Sequence, residues 1–135
     1  GLGQLKSPKK RKFLAELIES YSFSSPAIIS KKSIVSKYST IGNGTSIGHG
    51  AIVNANAEIS SYCIINSMAL IEHDVKISKF CHVSTGALIN GGVEIGEGSF
   101  VGSGAIIREG IKIPPYSIIS AGEKIMGWPS KTNKE

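Results

Sequence analysis

Aliphatic residues recur at every sixth position along this chain without a slip. Counting from Phe23, the column runs Ile29, Val35, Ile41, Ile47, Val53, Ile59, Ile65, Ile71, Ile77, Val83, Ile89, Ile95, Val101, Ile107, Ile113 and Ile119. Sixteen of these 17 positions are Ile or Val. A second column stands four residues after the first and is nearly all small: Ala27, Ser33, Ser39, Thr45, Ala51, Ala57, Cys63, Ala69, Val75, Cys81, Ala87, Val93, Ser99, Ala105, Ile111, Ser117 and Glu123. Gly, Asn and Ser crowd the positions just after each aliphatic residue, where a chain must turn.

A period of six matches neither the 3.6 of an α-helix nor the 2 of an ordinary strand. It matches short strands joined by regular corners and wound into a solenoid. The β-branched column suits the strands, and the small column lets a narrow prism close. With three hexads per coil, Cys63 and Cys81 stand one full coil apart and stack on one another. They read as buried small apolar side chains rather than as a disulfide.

Ahead of the repeat, residues 7–21 (SPKKRKFLAELIESY) predict one helix, with Ser7 as N-cap and Pro8 in its first turn. Phe13, Leu14, Leu17, Ile18 and Tyr21 form an apolar stripe on it. A helix in that place is expected to cap the open end of the solenoid, whose first coil is otherwise an aggregating edge. The tail TNKE is expected to fray.

Composition narrows the class. The chain has 135 residues, 41% hydrophobic, which suffices for one domain with a real core. Aromatics are 7% and glycines number 16, a mixture that argues against a helical bundle. No apolar run approaches the ~20 residues of a membrane span. No signal peptide is visible and the first residue is not Met, so a fragment of a longer, cytoplasmic protein is expected. The net charge is +5, and five of the 15 basic residues lie in residues 6–12. That run is either a solvated helix start or a contact for nucleic acid, an anionic membrane or a phosphorylated small molecule. No aromatic-rich RNA motif or zinc spacing accompanies it.

The chemistry concentrates in one hexad. Glu72, His73 and Asp74 stand side by side inside an aliphatic run, and either acid is placed to orient the ring or raise its basicity. His82 follows half a coil further on. Gly91, one full coil after His73, is expected directly beside the imidazole. His49 falls on a different face from His73 and reads as a surface residue, with a minor acceptor-site role left open.

The whole pattern over residues 23–124 resembles the hexapeptide-repeat acyltransferases. That resemblance implies an all-β solenoid: a left-handed parallel β-helix of triangular section, about 17 hexads at three per coil, with a short N-terminal helix. The stretches RKFLAELIE…FSSPAIIS and EHD…HVS…NGG are similar to the sialic acid O-acetyltransferase and nucleotide-amino-sugar N-acetyltransferase subfamily. There the helix closes a Rossmann-like domain that holds the nucleotide sugar. Residues 1–22 would be its remnant, with GLGQLK as its last loop and most of the acceptor site missing. Residues 125–135 would be the closing turn and tail, after a Pro-Pro-Tyr corner and with Gly127, Trp128, Pro129, Ser130 and Lys131 forming the turn.

By the same resemblance His73 is the general base. Asp74 is its partner, with Glu72 as a rival. His82, Gly91, Gly92, Ser103 and Ala121 meet acetyl-CoA, the co-substrate. No metal, nucleic acid or membrane span is implied. The resemblance implies a homotrimer with active sites between subunits and a sugar acceptor of surface-glycan biosynthesis, acetylated on oxygen or nitrogen. Three other readings compete. A hexapeptide acyltransferase for another small acceptor shares the same coils. A carbonic anhydrase on the same coils needs three convergent histidines, and His73 and His82 lack that spacing. A structural or ice-binding β-helix needs regular flat arrays of Thr-like residues, and the outward positions here are irregular and charged.

Overall fold

The computed structural model describes residues 3–4 and 6–127. Among them lie one helix, α1 (Lys9–Ser20), and seventeen two-residue strands from β1 (Ile28–Ile29) to β17 (Lys124–Ile125), one every six residues. Every strand pairs in parallel with the third strand after it, Ile28 with Ser46 and His82 with Phe100. Three parallel sheets of six, six and five strands result. Sheet 1 begins at Ile28–Ile29, sheet 2 at Ile34–Val35 and sheet 3 at Thr40–Ile41. The chain passes through all three in turn, so each coil is a triangle of three hexads.

Both aliphatic and small columns point inward. From Ile47 to Ile125 the large column is buried, and Ala51, Ala57, Cys63, Ala69, Val75, Cys81, Ala87, Val93 and Ala105 are fully enclosed beside it. The repeat is displaced by one hexad from the sequence reading. Phe23 carries no strand and is 69% exposed, whereas Ile125 takes the final inward place.

The corners follow one rule. From residue 44 to 122, every sixth residue has φ near +60°, the left-handed region. Eight of those 14 positions are glycine; the others are Asn56, Tyr62, Met68, Asp74, Phe80 and Tyr116. A Cβ resists this conformation by roughly 1–2 kcal/mol, so each of the six is held by the coils above and below.

The cysteines are free and buried, as their column requires. The corner joining sheet 3 to sheet 1 carries a ladder there. Thr45, Cys63, Cys81 and Ser99 each donate to a carbonyl of the next coil: Ser60, Ser78, Gly96 and Pro114. A hydroxyl or thiol in the small column thus satisfies a corner carbonyl. The contact with Cys63, together with burial, pushes the Cys81 thiol up.

The helix departs from expectation in extent and place. It begins at Lys9, with Pro8 as a cap residue that makes no side-chain bond. It does not cover the open end, where the inward Ile29 stays 45% exposed. Instead it lies along the sheet 3–sheet 1 corner. Tyr62 and Phe80 stack there at 5.3 Å. The Lys12 ammonium sits 5.3 Å from the Phe80 ring and 4.9 Å from that of Tyr116, and pairs with Glu97. Tyr62 donates to Glu19, and Arg11 donates to the Tyr62 carbonyl. Aromatic rings and cations attract one another, so α1 turns its polar side to the prism. Phe13, Leu14, Leu17, Ile18 and Tyr21 consequently face outward and exposed.

Gly98 lies on the same corner, where a Cβ would meet Tyr116 Cε1 at 2.5 Å. Of the expected closing stretch, the Pro114–Pro115–Tyr116 corner is formed, with Tyr116 in the left-handed region. The turn through Trp128, Pro129, Ser130 and Lys131 and the tail lie outside the described residues.

Candidate functional site

His73 and Asp74 form the corner between sheets 2 and 3 in the third coil. Asp74 is one of the left-handed residues, at φ 61°. Asp tolerates that conformation better than most. The turn brings its carboxylate back onto the preceding side chain, and His73 Nδ1 lies 2.9 Å from Asp74 Oδ2. The other carboxylate oxygen accepts from Asn56 Nδ2 at 3.0 Å, one coil below. Glu72 is engaged elsewhere: Asn54 Nδ2 donates to it at 2.8 Å. The two acids therefore divide, and Asp74 is the one bonded to the ring. Asn54 and Asn56 were not singled out in the sequence. Each stands one full coil before its acid, and that spacing is the signal that finds them.

The Asp74 hydrogen bond raises the His73 pKa from its ordinary value, and the imidazole holds Asp74 below the usual carboxylate range. Nδ1–H donation to a carboxylate leaves Nε2 as the free lone pair. One coil above, the imidazole lies against Gly91, where a Cβ would come within 2.7 Å of Cε1 and 2.8 Å of Nε2. Only glycine leaves that space. The Gly92 N–H donates to the His73 carbonyl at 3.0 Å, while the Gly91 N–H has no acceptor among the described residues. Of the two glycines, Gly91 therefore offers an amide.

Around them opens a groove of about 620 Å³ lined by Glu72, His73, Asp74, Asn90, Gly91, Gly92, Glu109 and Gly110. Its charge is acidic. Asn90, Glu109 and Gly110 were also not anticipated; they follow Glu72, Gly91 and Gly92 by one coil in the same corner.

The remaining candidates lie on other parts of the triangle. His82 stands on sheet 1, opposite the His73 corner, and is buried. Its Nδ1 is 2.6 Å from the Gln4 carbonyl, its Nε2 is 3.5 Å from Asn66 Nδ2, and Phe100 meets it edge-on at 5.2 Å. Burial lowers its pKa. No motif in the chain announces that Gln4 covers this ring. Ser103 and Ala121 are exposed on the sheet 1–sheet 2 corner, and Ser103 Oγ is 3.0 Å from Ser84 Oγ. His49 shares that corner and is exposed, with Nδ1 2.6 Å from Ser30 Oγ. One chain thus brings His73, Asp74, Gly91 and Gly92 together and holds His82, Ser103 and Ala121 apart from them.

The outward rows of the three sheets differ sharply. Sheet 3 presents Thr40, Glu58, Lys76, Glu94 and Lys112, and Lys112 pairs with Glu94 at 3.3 Å. Sheet 2 presents Ile34, Ile52, Leu70, Leu88 and Ile106 before Lys124. The sheet 2 row is a flat aliphatic strip, bounded by the His73 corner on one edge and the Ser103 corner on the other. Among the described residues no group of three His, Cys, Asp or Glu side chains converges as a metal site would require. No described helix is long and apolar enough to cross a membrane.

No protein-family model and no curated protein matches the chain. Solved structures do. The acetyltransferase domain of PglB from Neisseria gonorrhoeae FA1090 is similar with a TM-score of 0.88 and 29% identity, over 90% of this chain and 60% of that one. The same domain in complex with acetyl coenzyme A gives 0.85 and 28%, over 90% and 61%. PerB from Caulobacter crescentus, in complex with CoA and GDP-perosamine, gives 0.88 and 29%, over 90% and 59%. The chain spans about 60% of the length of the structures it matches. Repeat, coil geometry and neighbours together show a left-handed parallel β-helix of hexapeptide repeats, similar in fold to these acetyltransferase structures.

Proposed function

We propose that the chain is the β-helix of an acetyl-CoA-dependent acetyltransferase acting on the amino group of a nucleotide-linked sugar, in cytoplasmic surface-glycan biosynthesis. One observation carries this reading: the Asp74-bonded imidazole of His73 lies against Gly91, whose N–H is unbonded among the described residues, in an open acidic groove. The neighbours solved with acetyl coenzyme A, and with CoA and GDP-perosamine, support the donor and the acceptor class.

The chemistry is direct transfer. The ammonium form of the acceptor is drawn to the carboxylates of Asp74, Glu72 and Glu109 and loses one proton to water; as the resulting amine attacks, a neutral His73 takes a second proton from its nitrogen at Nε2. As the amine nitrogen bonds to the thioester carbonyl carbon, the negative charge developing on oxygen is met by the Gly91 N–H. The C–S bond then breaks, and the imidazolium returns a proton to the departing thiolate. A base so placed contributes on the order of 10²–10⁴ in rate. The role of Asp74 is to hold the ring and stabilise its charge, and Glu72 lends charge alone.

The donor is read as lying between copies. Three prisms packed on the aliphatic strip of sheet 2 would set the Ser103–Ala121 corner of one copy against the His73 corner of the next. Burying such a strip is the ordinary driving force of association. His82 then acts as a positioning residue through Asn66, since the Gln4 carbonyl occupies its Nδ1.

Calorimetric titration of acetyl-CoA, with sedimentation on the same sample, tests this. The expectation is a trimer binding one acetyl-CoA per chain, with the Ser103→Trp variant failing to bind. A well-folded trimer that binds no CoA species would remove the acetyltransferase reading.

A further inference from the structure

His49 and Ser30 take no part in the reading above, yet they are built as a pair. The Lys32 N–H donates to Ser30 Oγ at 3.1 Å, occupying one of its lone pairs. The Ser30 hydroxyl lies 2.6 Å from His49 Nδ1, and we take it as the donor of that bond. A hydroxyl donating to Nδ1 leaves the proton on Nε2. His49 therefore presents an N–H donor to solvent, where His73 presents a lone pair. The two histidines have opposite polarity because one is set by a hydroxyl and the other by a carboxylate.

Their positions correspond as well. His49 lies on the sheet 1–sheet 2 corner, in one vertical column with Ser67, Thr85, Ser103 and Ala121, each one coil above the last. His73 lies on the sheet 2–sheet 3 corner. These two corners bound the aliphatic strip. Any threefold packing on that strip apposes one corner with the other in every cleft. His49 precedes His73 by four hexads, or one and a third coils, so it sits about 6 Å lower along the prism at ~4.8 Å per coil. Ser103 and Ala121 lie above His73 by the same reckoning. The donor thus has the upper part of the cleft, and the lower part belongs to whatever approaches His73 from the other side.

We propose that the Ser30–His49 pair of one copy forms the acceptor wall of the cleft whose base is the His73 of the adjoining copy, its Nε2–H donating to a hydroxyl or phosphate oxygen of the sugar nucleotide. This rests on the acetyltransferase reading and on a trimer closed through sheet 2. A hydrogen bond to the acceptor alone sets KM for that substrate and leaves the donor's KM untouched. Loss of one such bond corresponds to about tenfold.

Two experiments decide it. In the first, His49→Cys is combined with Asn56→Cys, which stands on the opposite corner a third of a coil away in height, and the protein is mildly oxidised. Covalently closed trimers are expected. A control pairing His49→Cys with Ser61→Cys, on the third corner, is expected to give none. Cys63 and Cys81 are buried and do not interfere. Absence of the cross-link overturns the placement.

The second uses acetyl-CoA and GDP-perosamine as donor and acceptor. His49→Ala is expected to raise the acceptor KM about tenfold with the acetyl-CoA KM unchanged, and His49→Gln, which keeps an N–H donor, to recover most of it. Ser30→Ala is expected to give a smaller rise. An unchanged acceptor KM in His49→Ala, in an enzyme that His73→Ala inactivates, overturns the acceptor wall while leaving the proposed function standing. A parent protein that binds acetyl-CoA yet transfers to no nucleotide-linked amino sugar, GDP-perosamine included, overturns both.

Discussion

At the scale of single residues, the site depends on two features that are each one atom deep. The first is the Asp74 carboxylate on His73 Nδ1. It raises the imidazole pKa, and the reaction needs the neutral ring. The rate is therefore present above that raised pKa and lost as pH falls through it. Asp74→Asn removes the carboxylate, so the acid limb of the kcat/KM profile is expected to move to lower pH. The plateau is expected to drop about tenfold or more as the ring loses its orientation. An acid limb that stays in place would show that another group titrates. The pair is largely exposed, so the same substitution is expected to leave the melting temperature nearly unchanged. The second feature is the missing Cβ at Gly91. Gly91→Ala would set a methyl 2.7 Å from the ring. We expect kcat to fall at least about tenfold as the imidazole swings away, with circular dichroism and melting little altered.

Residue identity predicted this neighbourhood well, because a coil of constant length converts sequence spacing directly into stacking. His73 with Gly91, and Cys63 with Cys81, were legible for that reason. Asp74 over Glu72 was named only by the family resemblance, since spacing left both acids open. The choice depends on a left-handed turn at Asp74 and on Asn54 claiming Glu72, and neither is visible as a pattern of residue types.

At the scale of elements, the strands and the helix obey different rules. A strand of two residues has almost no preference of its own; it exists because coils above and below complete its hydrogen bonds. The hexad is therefore a whole-coil signal, and it located every strand to within one hexad at each end. The helix has a 3.6-residue stripe that conventionally marks its buried side. Here the inference inverts. Lys12 over Phe80 and Tyr116, its bond to Glu97 and the Arg11–Tyr62 contact outweigh the stripe in seating α1. Gly98→Ala tests that seat. Its Cβ would meet Tyr116 at 2.5 Å and Pro8 at 3.1 Å in a left-handed backbone, at a cost of about 1–3 kcal/mol. Trypsin is expected to cut within the Lys9–Lys12 run of this variant faster than in the parent, while the coils stay resistant. Equal cutting rates would mean that the corner does not hold the helix.

At the scale of the whole molecule, the outward rows of the prism differ: sheet 3 is charged and sheet 2 is aliphatic up to Lys124. The aliphatic face is the one that water tolerates least. Leu88→Asp puts a charge in the middle of that strip without touching the inward columns. The expected outcome is a monomer by sedimentation with unchanged circular dichroism and with transfer activity lost, since each proposed cleft needs two copies. A Leu88→Asp protein that remains a trimer would move the contact to another face.

The period of six by itself determined a solenoid of short strands with a β-branched and a small inward column, while its left hand came from the family resemblance. It also determined which residues stack, because translation by one coil is the only neighbour relation the repeat contains. What the tertiary structure alone decided is everything that crosses the coils or leaves them. The helix lies on an aromatic corner instead of the open end, and Gln4 closes over His82. These contacts join segments as far apart in the chain as Lys12 and Tyr116. They are set by ring faces and unpaired carbonyls, which have no period and so leave no trace in the pattern along the chain.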